Sequence, residues 1–113
     1  MKTVINPSQV AAAQSFAATV NVNLPELFDL YGLALQFNWS AANDMVGSLK
    51  LQVSLDDGSN WVDYSGFTAI TAFTGSAVWF LDNKIFPFKR ARLVYTRTSG
   101  TGTAGIWISG CRL

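Results

Sequence analysis

The chain contains no histidine and a single cysteine, which removes the usual imidazole base and most metal and thiol chemistry at the outset. Seven carboxylates remain that could move a proton or hold a cation: Glu26, Asp29, Asp44, Asp56, Asp57, Asp63 and Asp82. A glycosidase needs two of them facing each other across a cleft. Most lie in or beside turns, where Asp is favoured for backbone reasons, so no enzyme is expected. Asp56, Asp57 and Asp63, with Asn60, could offer oxygen ligands to calcium. Their spacing is not that of an EF-hand loop, and a hairpin turn accounts for the same residues, so neither metal nor cofactor is expected. Gly100-Thr101-Gly102-Thr103-Ala104-Gly105 approximates a phosphate-binding glycine pattern. It precedes a strand rather than a helix, so no helix N-terminus would meet a phosphate, which makes it a hairpin loop.

Aromatic and basic residues are the other chemistry-bearing groups. Eight Phe, four Trp and three Tyr are many for this length, and most must fill a core. Trp61 and Tyr64, beside a turn, are the candidate ligand aromatics if the chain binds carbohydrate. After Asp82 the chain carries Lys84, Lys89, Arg90, Arg92, Arg97 and Arg112 with no acidic residue, a balance of +6 against −5 for residues 1–82. Such a region could track nucleic-acid phosphates, but alternating arginines equally line a solvated sheet face, so a nucleic-acid partner is not expected. Val78-Trp79-Phe80-Leu81 and Ile106-Trp107-Ile108 lack a polar face. Strands of that kind are sandwiched on both sides or covered by another subunit. The candidate subunit interface is Val78, Trp79, Phe80, Phe86, Phe88, Arg90 and Arg92.

The elements that position these residues follow from alternation of period two. Tyr31, Leu33, Leu35, Phe37 and Trp39 alternate with small or polar residues, as a half-buried strand requires. Leu49, Leu51, Val53 and Leu55 repeat the pattern, with Lys50, Gln52 and Ser54 expected to point outward. Asp56-Asp57-Gly58-Ser59-Asn60 is a turn cluster, and Trp61 begins the return strand. Further strands are expected over 16–23, 67–74, 77–81, 92–98 and 105–113. Pro87 marks 85–88 as an edge or irregular segment. Residues 1–15 read either as a short helix through the alanine run or as an extended arm, preceding one domain over 16–113.

About eight short strands between turn signals predict an all-β fold, an antiparallel, jelly-roll-like β-sandwich. The chain of 113 residues is half hydrophobic and 13% charged, with a net charge of +1, which excludes disorder. No apolar run approaches the ~18 residues of a membrane helix, and no membrane partner is expected. The opening residues lack a continuous apolar stretch and read as a mature N-terminus. Cys111 has no partner within the chain and reads as a small buried hydrophobe, compatible with synthesis in a reducing cytoplasm.

The run Gly47-Ser48-Leu49-Lys50-Leu51-Gln52-Val53-Ser54-Leu55-Asp56-Asp57-Gly58-Ser59-Asn60-Trp61-Val62-Asp63 carries a family resemblance. With Arg90-Ala91-Arg92-Leu93-Val94-Tyr95-Thr96 and Ser99-Gly100-Thr101-Gly102-Thr103 downstream, it resembles small β-sandwich structural proteins of bacteriophages. The resemblance covers about two-thirds of the chain. It implies a virion component, assembled in the host cytoplasm: a capsid decoration or minor capsid protein, or a fibre or spike module. The implied partners are copies of itself, a trimer being one arrangement, and other virion proteins such as a major capsid protein. It implies no catalytic residues. The alternative function is a carbohydrate-binding or host-adhesion module of a fibre or spike.

Overall fold

Strands form where large apolar residues alternate with polar ones, because a pleated strand sends neighbouring side chains to opposite faces. In the computed structural model, which describes residues 3–25, 30–40, 44–80, 85–88 and 90–112, nine strands follow this logic. They are β1 (Thr3–Ser15), β2 (Val20–Asn23), β3 (Leu30–Ser40), β4 (Val46–Ser54), β5 (Val62–Asp63), β6 (Ser76–Phe80), β7 (Ile85–Phe86), β8 (Arg90–Ser99) and β9 (Thr103–Arg112). The described residues contain no helix.

Two antiparallel sheets pack into a sandwich. Sheet A has the order β1-β9-β3-β6, with β7 also pairing β3, and sheet B has the order β2-β8-β4-β5. The pairs β1·β9, β2·β8, β3·β6/β7 and β4·β5 are those of one long antiparallel ribbon, bent over on itself. Folding the ribbon over brings β9 beside β3 and β8 beside β4. That winding is the jelly roll. The turn after β4 is the tip of the ribbon, and Thr3 opposite Arg112 is its far end.

The inward residues are those the alternation selects. Leu33, Leu35, Phe37 and Trp39 of β3 face Leu49, Leu51 and Val53 of β4 and Leu93 and Tyr95 of β8 in one buried core. Ten aromatics divide between two clusters. Phe16, Phe37, Trp39, Phe73 and Tyr95 meet at one end, with centroids 4.9–5.9 Å apart. Tyr64, Phe67, Trp79, Phe86 and Phe88 meet at the other, at 5.2–6.3 Å. Most contacts are tilted or edge-on, the arrangement ring quadrupoles favour. The buried Tyr95 hydroxyl donates to the Val46 carbonyl (3.2 Å), and burial pushes its pKa above the usual phenol value.

Of the two readings of residues 1–15, the extended one describes residues 3–15, which form the edge strand β1 along β9 rather than a helix. Alanine favours a helix in isolation, but here the backbone groups of β9 compete for it and win. Its edge is irregular, with register shifts near Pro7 and on either side of Ala11, which hinders pairing to another edge. Residues 67–74 make only one bridge, Ile70 to Leu49, while Phe67 and Phe73 plug the core from an irregular crossing. Ser54 turns inward (3% exposed) and Leu55 outward (83%), the reverse of the alternation, because the turn recruits the Ser54 hydroxyl. The turn signal at Asp82-Asn83 lies outside the described residues.

Candidate functional site

The tip of the ribbon is built around one carboxylate. Asp56 accepts the Ser54 hydroxyl (2.7 Å) and the Asn60 amide N–H (2.8 Å) on Oδ1, and the Asn60 side-chain amide (2.8 Å) on Oδ2. These donors, the Asn60 side chain foremost, pull its pKa down to about 2. Asp57 and Gly58 both have positive φ (60° and 90°), as the central pair of a turn closed by Ser59 N–H to the Asp56 carbonyl (3.4 Å). That turn matches the twist of the flanking strands and accounts for the Asp-Gly sequence. The Gly58 N–H donates to Ser54 Oγ (2.9 Å), which is why Ser54 is buried.

Beyond the tip, a row of polar side chains crosses the outer face of sheet B. Register places Asn23 opposite Arg92, Arg92 opposite Gln52, and Gln52 opposite Asp63. Arg92 Nε donates to Gln52 Oε1 (3.0 Å), and Gln52 Nε2 donates to Asp63 Oδ1 (2.9 Å). Lys50 reaches the other Asp63 oxygen at 3.5 Å. The Gln52 hydrogen bond, then Lys50, holds the Asp63 pKa below its ordinary value. The Arg92 guanidinium stacks on the Trp61 ring 4.3 Å from its centroid. Arg90 pairs with Asp57 (2.9 Å), and Arg97 Nε donates to the Gly100 carbonyl (2.7 Å).

The tip separates two depressions. One, of about 450 Å³, is lined by Val53, Leu55, Val62, Tyr64 and Phe88 with Asp56, Asn60 and Asp63 at its polar margin. The other, of about 270 Å³, lies between the end of β2 and the tip, with Asn23, Asp57, Gly58, Trp61 and Arg90 in its walls. Trp61 and Tyr64, the candidate ligand aromatics, therefore do not share a groove. Tyr64 packs on Trp79, Phe86 and Phe88, whereas Trp61 belongs to the polar cleft.

The outer face of sheet A is different in kind. Register aligns Gln9, Trp107, Gln36 and Val78 across its four long strands. Val78 is 60% exposed and Trp107 37%, flanking Gln36 over a shallow depression of about 110 Å³ that Ala34 and Ser109 also line. Arg112, at the end of β9, is the one charged residue in the five strands of this sheet. The strands of sheet B carry Lys50, Asp63, Arg90, Arg92 and Arg97.

The expected interface residues scatter accordingly. Val78 lies on the outer face of sheet A, but its neighbour Trp79 turns inward and donates its indole N–H to the Gly66 carbonyl (3.3 Å). Phe86 is fully buried and cannot meet a partner, because β7 completes the edge of sheet A over the second aromatic cluster. Phe88 is half-buried there, and Arg90 and Arg92 belong to sheet B. The side chains of Phe80, Cys111 and Arg112, and residues Glu26, Asp29, Asp82, Lys84 and Lys89, lie outside what the structure describes. Trp107, which the apolar run Ile106–Ile108 pointed to, joins Val78 instead. Among the described residues no three carboxylates or cysteines converge as metal ligands would. No protein-family model, curated protein or solved structure matches this chain.

Proposed function

We propose that this chain is a non-enzymatic structural subunit of a phage virion, a capsid decoration or minor capsid protein. It packs against copies of itself and other virion proteins, such as a major capsid protein, through the outer face of sheet A. The observation that carries this reading is that face: a Trp and a Val exposed on four strands that offer almost no charge to water. Desolvating such a face costs little, whereas a charged face must be matched group by group. The resemblance of the Gly47–Asp63 and Arg90–Thr103 segments to phage structural proteins supports the same reading, as does a jelly-roll winding used in capsid shells.

Light scattering after size exclusion tests it. A stable trimer or larger assembly is expected. A monomer that persists at high concentration overturns the self-association.

A further inference from the structure

We propose that the polar cleft beside Trp61 is a binding site for a neutral saccharide, on the sheet opposite the assembly face. Three observations meet there. First, Trp61 is a half-buried aromatic in the wall of a cleft, held by the Arg92 guanidinium stacked on its ring. A fixed ring offers an apolar surface to the C–H face of a sugar with little ordering cost.

Second, the groups around it suit hydroxyls. Asn23, exposed at the end of β2, has both an amide donor and an acceptor, and Asp57 adds carboxylate acceptors across the cleft. Asn23 stands directly opposite Arg92, so the amide and the Trp61–Arg92 stack belong to one outward row. Neighbouring strands ~4.8 Å apart place such groups at the scale of one sugar ring.

Third, the charges are already matched. Arg90 is paired with Asp57, Arg92 is engaged by Gln52 and Trp61, and Asp63 by Gln52 and Lys50. A site designed for a phosphate or a sulfated chain would leave cationic groups directed at the ligand. Here the cleft combines balanced charge, two-way hydrogen bonding and an aromatic wall, the combination a hexose needs and a polyanion does not. The larger groove at Leu55 and Val62 is the more apolar of the two: its Tyr64 and Phe88 rings pack on each other, and its Asn60 amide is already given to Asp56.

The test is a nuclear magnetic resonance titration of the full chain with glucose, galactose, mannose and N-acetylglucosamine, and with short oligomers of each. At least one is expected to shift the Trp61 indole and Asn23 side-chain amide signals saturably, leaving the Trp107 indole on the other sheet unmoved. Asn23→Ala, at an exposed position, is expected to weaken that binding about tenfold, the worth of a good hydrogen bond. Trp61→Phe keeps an aromatic wall and is expected to weaken it less. No shift with any of these sugars overturns the proposal, as do shifts centred on Trp107 or affinity indifferent to Asn23→Ala. Tighter binding of a heparin oligosaccharide that disappears with salt also overturns it, in favour of a polyanion site. The solution mass of the same sample reports on self-association separately, so either idea can fail without the other.

Discussion

The outer faces of the two sheets share a winding and a core but not a chemistry. Sheet A turns Gln36 outward between Trp107 and Val78, and among the described residues the Gln36 amide donates to Asn38 of its own strand (2.9 Å). Sheet B turns Gln52 outward at the matching place, and that amide joins Arg92 on one side to Asp63 on the other. The same residue type is thus a bystander on one face and a link on the other. The inward set decides that a sandwich forms, whereas the outward set decides what each face can meet.

The largest effects should fall on what the faces have in common. Leu35 and Leu93 are fully buried, one in each sheet, and Leu35→Ala or Leu93→Ala should each cost about 2–5 kcal/mol in urea unfolding. A loss confined to one of them would show that one sheet dominates the core. Gly100→Ala should cost at least as much as the smaller of these, because its φ of +75° is left-handed and the new Cβ would run into the Asp44 carbonyl.

Next comes the difference itself. Trp107→Lys puts a charge into a face with almost none and should weaken the proposed self-association about a hundredfold, roughly 2.7 kcal/mol, read by light scattering. Gln52→Lys on sheet B should leave the mass unchanged. If it dissociates the assembly and Trp107→Lys does not, the faces have been assigned the wrong way round. Smaller still, Gln52→Ala should cost about 1 kcal/mol and Gln36→Ala less than about 0.5 kcal/mol.

The smallest effect is electrostatic. The Asp56 pKa, about 2 in the fold against an ordinary 3.8, means that the ionised carboxylate favours the folded turn. That contribution is complete above the ordinary value and is lost as pH falls through about 2. Amide signals of Gly58 and Asn60 should therefore move over this interval. Those of Gln36 and Val78 should not, since the described strands of sheet A hold no carboxylate. In Gln52→Ala the Asp63 pKa should rise toward its ordinary value, since its chief hydrogen-bond donor is gone.

Much of this fold was legible in the sequence where a strand is buried on one face. The alternation in β3 and β4 names Leu33, Leu35, Phe37, Trp39, Leu49, Leu51 and Val53, all buried, and Asp57-Gly58 marks the tip. Legibility fails where a partner outside the local window decides. Ala11-Ala12-Ala13 carries no alternation, and only the backbone of β9 makes it a strand. Phe67 and Phe73 look like strand residues because they are buried, but an irregular crossing buries them as well. Ser54 and Leu55 exchange faces because a side-chain hydrogen bond outranks periodicity there. The candidate sites suffered most. Val78 and Trp107 are 29 residues apart in sequence and meet only through Gln36, while Asn23 and Trp61 sit on opposite arms of the bent ribbon.

The ribbon also orders events in time. Its tip joins residues a few positions apart, whereas pairing Thr3 with Arg112 closes a loop of nearly the whole chain. Closing that loop from an unfolded start costs more entropy than closing the tip, so zipping should run from the Asp56 turn outward. β1 would then dock last, with its outer edge unpaired and its register interrupted. In hydrogen exchange it should open first, well before β3 and β8 at the centre of the two sheets. A chain released from synthesis would thus hold a formed tip and cleft before the outer face of sheet A is complete, so the proposed self-association through that face would wait until the fold beneath it is finished.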